Sequence, residues 1–120
     1  MKKLISVGGL ALFLSACAVT AVFAEEAPND TFTTASCTSS TGEALAANNG
    51  RTAALFINTG TSTIYLKMGE AAVDVEGIML SASGGNYFMS AENGNLRRQV
   101  VNCITSSATV VLSVVEWAVQ

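Results

Sequence analysis

The chain has 120 residues, half of them hydrophobic, and a formal net charge of −3, with nine acidic side chains against six basic ones and no histidine. That size corresponds to one domain. The acidic balance excludes an electropositive footprint for a nucleic-acid backbone, and without histidine there is no Ser–His or Cys–His nucleophile and no imidazole acid/base chemistry.

Met1-Lys2-Lys3 is a short positive start, and the stretch from Leu4 to Phe23 carries no charge. This is the pattern of a secretory signal peptide. A retained membrane helix is the competing reading of so long an apolar run. Against it, Gly8, Gly9, Ser15 and Thr20 dilute the stretch, and the flank that follows is acidic (Glu25, Glu26, Asp30) instead of basic. Two cuts are available. Leu14-Ser15-Ala16-Cys17 matches a lipobox, which would leave Cys17 lipidated and the protein held at the outer membrane. Val22-Phe23-Ala24 matches the small-residue site of an ordinary signal peptidase. A lipidated cysteine normally starts a polar tether, whereas Cys17 is followed by Ala-Val-Thr-Ala-Val-Phe-Ala, so cleavage after Ala24 is the favoured reading. The expected organisation is a leader over residues 1–24, a loose, polar N-terminal segment over residues 25–36, and one domain over residues 37–120. Loss of Lys2 and Lys3 leaves four cations against nine acids, a formal charge of −5.

With Cys17 in the leader, Cys37 and Cys103 remain as an even pair in a chain sent to an oxidising compartment, so a disulfide is expected, within the chain or between copies. Two thiolates without histidine do not make a zinc site. Residues 39–47 are ambiguous and leave room for a first edge strand. The segment Thr52–Asn58 reads as a strand apolar on both faces, bounded by Asn48-Asn49-Gly50 and Asn58-Thr59-Gly60. Thr63–Met68 alternates, with Ile64, Leu66 and Met68 on one face, and the two segments are expected to form a hairpin. Gly77–Ser81, Asn86–Ser90, Gln99–Ile104 and Thr109–Trp117 follow as further strands, with Asn93-Gly94 as a hairpin signal between the second and third of them. Six to eight short strands and no helical period predict an all-β chain, an antiparallel β-sandwich of jelly-roll type.

Candidate chemistry is sparse. Glu70, Asp74 and Glu76 are the one acidic group with oxygen ligands for calcium, but they match no loop motif with fixed ligand positions. Lys67 sits mid-strand as an outward-facing residue. Gly84-Gly85 lacks the Lys-Ser/Thr of a phosphate cradle. Tyr65, Tyr87, Phe88 and Trp117 offer either a glycan-stacking surface or core filling. No catalytic constellation, cofactor or metal is expected. In the last strand, Val110, Leu112 and Val114 fall on one face and Val111, Val115 and Trp117 on the other. Two apolar faces on one strand predict an oligomer contact near Val111, Val115 and Trp117, the alternative being that Trp117 closes the core.

One set of short motifs goes beyond composition. Asn48-Asn49-Gly50-Arg51 leads into Leu55-Phe56-Ile57-Asn58, then Gly77-Ile78-Met79-Leu80 and finally Val114-Val115-Glu116. The order resembles a small β-sandwich module found among phage minor structural proteins, in tail- or fibre-associated and decoration contexts. The resemblance covers about residues 46–117 and implies a non-enzymatic, assembling role; it supplies no binding residue. The leader and the cysteine pair depart from tailed-phage virion proteins, which assemble in the cytoplasm. They fit a virion matured at the envelope or a related sandwich that a bacterium exports. The expected role is an exported structural or adhesive subunit, self-associating or bound to another structural protein, and in contact with a membrane only through a lipidated Cys17. The alternative is a periplasmic or surface domain that binds a small ligand or glycan.

Overall fold

A computed structural model describes residues 29–107 and 109–119; the expected leader, Cys17 and both candidate cleavage sites lie outside them. Eight strands run in chain order as β1 (Asn29–Cys37), β2 (Gly42–Leu45), β3 (Arg51–Asn58), β4 (Ile64–Met68), β5 (Ile78–Leu80), β6 (Asn86–Ser90), β7 (Val101–Thr105) and β8 (Val110–Ala118). They form two four-stranded sheets, β1-β8-β3-β6 (sheet A) and β2-β7-β4-β5 (sheet B), and every pairing is antiparallel. The chain changes sheet at almost every connection, which is the jelly-roll arrangement. No helix among the described residues is long and apolar enough to cross a membrane.

The two inner faces meet in one core. Ala54, Phe56, Met89, Leu112 and Val114 come from sheet A; Ile64, Leu66, Leu80 and Val101 come from sheet B. Period-two alternation produces this directly, since β3 reads buried at Ala54, Phe56 and Asn58 and half-buried at Ala53, Leu55 and Ile57. Cys37 at the end of β1 bonds to Cys103 in β7, with Cα atoms 5.6 Å apart. The expected disulfide therefore forms within the chain and ties sheet A to sheet B.

Three local expectations differ from the structure. Residues 29–36, read as part of a loose lead-in, form strand β1, paired along its whole length with β8. Its polar side chains hide the strand from a hydrophobicity pattern, but threonine is β-branched and suits an edge position. β3 and β4 do not form a hairpin, because β3 pairs with β6 and β8 while β4 pairs with β5 and β7. The reason is Asn58. Its buried amide donates to the carbonyls of Ser62 and Leu80, and its Oδ1 accepts from Gly60 N at 2.9 Å, bending the chain from one sheet to the other. Asn93-Gly94 turns as expected, with Gly94 at φ +76° and its N–H bonded to Ala91 O. The chain then crosses to sheet B instead of pairing back, so the turn is not a hairpin.

The short motifs that carry the resemblance are structural joints. Asn48 caps the turn into β3 by accepting from Gly50 N at 3.0 Å, Asn58 makes the bend just described, and Leu80 is fully buried. Arg51 and Glu116 form an ion pair.

Candidate functional site

The outward face of sheet A is built by the same alternation that makes the core. With Val110, Leu112 and Val114 buried, Val111, Ser113, Val115 and Trp117 of β8 must point away. Pairing places Phe32 of β1 beside Val115, Leu55 of β3 on the other side of Val115, and Phe88 of β6 beyond Leu55. The result is a continuous row, Phe32–Val115–Leu55–Phe88, across all four strands. Phe32 is 72% exposed and Phe88 42%. A second row on the same face runs Asp30–Trp117–Ala53–Ser90, and a third Thr34–Ser113–Ile57–Asn86. Asp30 is the single charged side chain on these rows.

Trp117 and Phe88 meet edge to face, their centroids 6.2 Å apart. Beside them lies an open depression of about 310 Å³ whose walls include Thr52, Ala53, Ser90, Glu92 and Asn93. The β6–β7 turn that forms one wall is fixed by its own hydrogen bonds. Asn93 N donates to Ser90 Oγ, and Ser90 N donates to Asn95 Oδ1. The outer face of sheet B differs in character, with Glu43, Asn102 and Lys67 in one row.

Of the sequence-derived candidates, Val111 is 45% exposed and Val115 and Trp117 are half-buried, all on this one face. Trp117 does not close the core. The four aromatic residues are separated: Tyr65 lies on β4 of sheet B, and Tyr87 packs against the core with its hydroxyl accepting from Asn95 Nδ2 at 3.3 Å. Phe88 and Trp117 alone share a surface. Glu70 pairs with Lys67 at 3.4 Å, and no group of three or more His, Cys, Asp or Glu side chains that could hold a metal occurs among the described residues. Phe32 and Arg51 were missed as singular residues. Phe32 is the one large apolar side chain in a threonine-rich stretch, and Arg51 is a lone charge opening an apolar strand; those are the signals that could have found them.

No family model matches the chain, and no curated protein matches its sequence. Among solved structures it is similar to a protein of Bacillus endospore appendages, described as a novel family of disulfide-linked pili. That match has a TM-score of 0.51 and 15% identity, covering 78% of this chain and 88% of the other. It is also similar to the SPBc2 prophage-derived protein YomS, with a TM-score of 0.51 and 12% identity, covering 78% of this chain and 97% of that one. At such identities the likeness is one of fold.

Proposed function

We propose that this chain is an exported, non-enzymatic β-sandwich subunit that acts structurally or adhesively through protein–protein contacts, with Val111, Val115 and Trp117 in or beside the contact. The observation that carries this reading is the apolar row Phe32–Val115–Leu55–Phe88, turned to solvent on sheet A. Contiguous apolar surface of this kind marks interaction sites on soluble proteins. Two further facts support it. The Cys37–Cys103 bond suits an oxidising compartment, and the structural neighbours include a spore-appendage pilus protein and a prophage protein. Light scattering on the purified protein tests the reading: multimers at micromolar concentration, dissociated by combined Val115→Asp and Trp117→Ala, are expected. A monomer whose mass ignores both changes would overturn it.

The depression beside Trp117 supports a second reading, a glycan site. An aromatic edge flanked by Glu92 and Asn93 offers apolar stacking beside hydrogen-bonding groups. Trp117 is the single tryptophan, so its fluorescence reports this site directly. Saturable quenching by oligosaccharides in a monomeric protein would favour that reading over assembly.

A further inference from the structure

We infer that the outer face of sheet A is self-complementary and pairs with the same face of a second copy about a two-fold axis parallel to the strands, between β8 and β3; this rests on the assembly reading above. Such an axis keeps each cross-strand row at its own height and reverses its order. The row Phe32–Val115–Leu55–Phe88 reads aromatic, aliphatic, aliphatic, aromatic. Reversed onto itself, it sets Phe32 against the partner's Phe88 and Val115 against the partner's Leu55. In the Asp30–Trp117–Ala53–Ser90 row, Trp117 meets the partner's Ala53, a large side chain over a small one, and Asp30 sits at the height of the partner's Ser90, a buried residue whose hydroxyl accepts from Asn93 N. Thr34 faces the partner's Asn86 in the third row.

Shape selects this axis over the one at right angles to the strands. Phe32 is a protruding knob, 72% exposed at the β1 edge, and the hollow of about 310 Å³, with Ala53, Phe88 and Trp117 in its lining, lies toward the β6 edge. Knob and hollow are on opposite sides of one face, so the strand-parallel axis brings Phe32 to the Phe88 rim of the partner's hollow and Trp117 over its Ala53. The perpendicular axis would set Phe32 on Phe32 and leave the hollow open. With processing after Ala24, little of the chain outside the described residues is left to cover the face. Once the leader is removed at Ala24, the segment preceding Asn29 is residues 25–28, Glu-Glu-Ala-Pro, which reaches about 14 Å at full extension.

The size of the face sets the expected strength. Four strands about 4.8 Å apart, at about 3.4 Å per residue over the length of β3, give about 500 Å² per copy. The total of about 1,000 Å² is at the low end of specific interfaces. The dimer should therefore form in the micromolar range and respond to single substitutions.

Mixing two single-cysteine variants of the mature protein tests the arrangement. Under mild oxidation, Phe32→Cys mixed with Phe88→Cys should give a disulfide-linked dimer. Either variant alone should not, because like positions are offset by three strand spacings, about 14 Å. Both sites face outward, and an unchanged circular-dichroism spectrum confirms that each variant folds. Ala53→Trp, which fills the hollow, should weaken dimerisation at least tenfold. Phe32→Cys alone cross-linking as fast as the mixture would overturn the strand-parallel axis. So would an oligomer by light scattering in which the mixture does not cross-link and Ala53→Trp changes nothing, although assembly itself would then stand. A monomer at every concentration would remove both.

Discussion

Arg51 and Glu116 are joined at 2.6 Å, Nε to Oε2, with the Arg51 side chain fully buried and Glu116 15% exposed. The rest of the guanidinium donates to the carbonyls of Arg97, Gln99 and Ala46. One side chain thus ties β3 and β8 to the loops before β3 and β7, and so holds the corner beside the Trp117 depression. Removing either member of a buried pair strands the other, at a cost of about 3–5 kcal/mol. Arg51→Met should fall in that range by urea unfolding. Glu116→Gln should cost less, because the amide oxygen still accepts from Nε and the Glu116 side chain is partly exposed. Arg51→Lys should behave like Arg51→Met, since an ammonium cannot reproduce the fork of the guanidinium. Equal stability of Arg51→Lys and the parent would contradict this account.

The Cys37–Cys103 bond closes a separation of 66 residues, which in the chain-entropy model contributes roughly 4 kcal/mol. Reduction should lower the melting temperature clearly, and the paired change Cys37→Ala with Cys103→Ala should match it. Quantitative labelling of both thiols in native, unreduced protein would remove the bond from the account.

The turn before β5 holds two residues at positive φ, two positions apart, one a glycine and one β-branched. Gly77 has φ +96°, and a Cβ there would run into the Leu66 carbonyl oxygen. Gly77→Ala should therefore destabilise by well over the ~1 kcal/mol of an ordinary mismatch. Val75, a β-branched residue, sits at φ +67° and is 72% exposed. Asparagine tolerates that region far better, so Val75→Asn should stabilise by about 1 kcal/mol. Thermal unfolding of the two variants should move in opposite directions.

Processing after Ala24 predicts a mature chain beginning at Glu25. Intact mass of protein from native membrane and soluble fractions should show that species. A diacyl- or triacyl-cysteine at position 17 would move the protein to a membrane surface and add residues 17–24 to the segment before β1.

Much of this protein was legible from residue order alone. β3, β4 and β8 announce themselves because alternation and β-branched runs are local properties, read within a single strand. Cysteine parity was equally direct: with Cys17 assigned to the expected leader, Cys37 and Cys103 are the one candidate pair, and the fold places their bond within the chain. Strand partners were not legible. Asn58-Thr59-Gly60 and Asn93-Gly94 state that the chain turns, but the direction of the turn depends on what the turn residues bond to. Asn58 bonds to Leu80, 22 residues away. β1 was invisible for a related reason: its side chains are mostly exposed, so no apolar pattern marks it, and its order comes from β8. The surface followed the same division. That Val111, Val115 and Trp117 share a face follows from residue order alone, because a strand's period is two. That Phe32, Leu55 and Phe88 join them follows from the strand order of sheet A, because neighbours across a sheet are set by pairing between segments far apart in the chain, and no local pattern encodes which segments will pair.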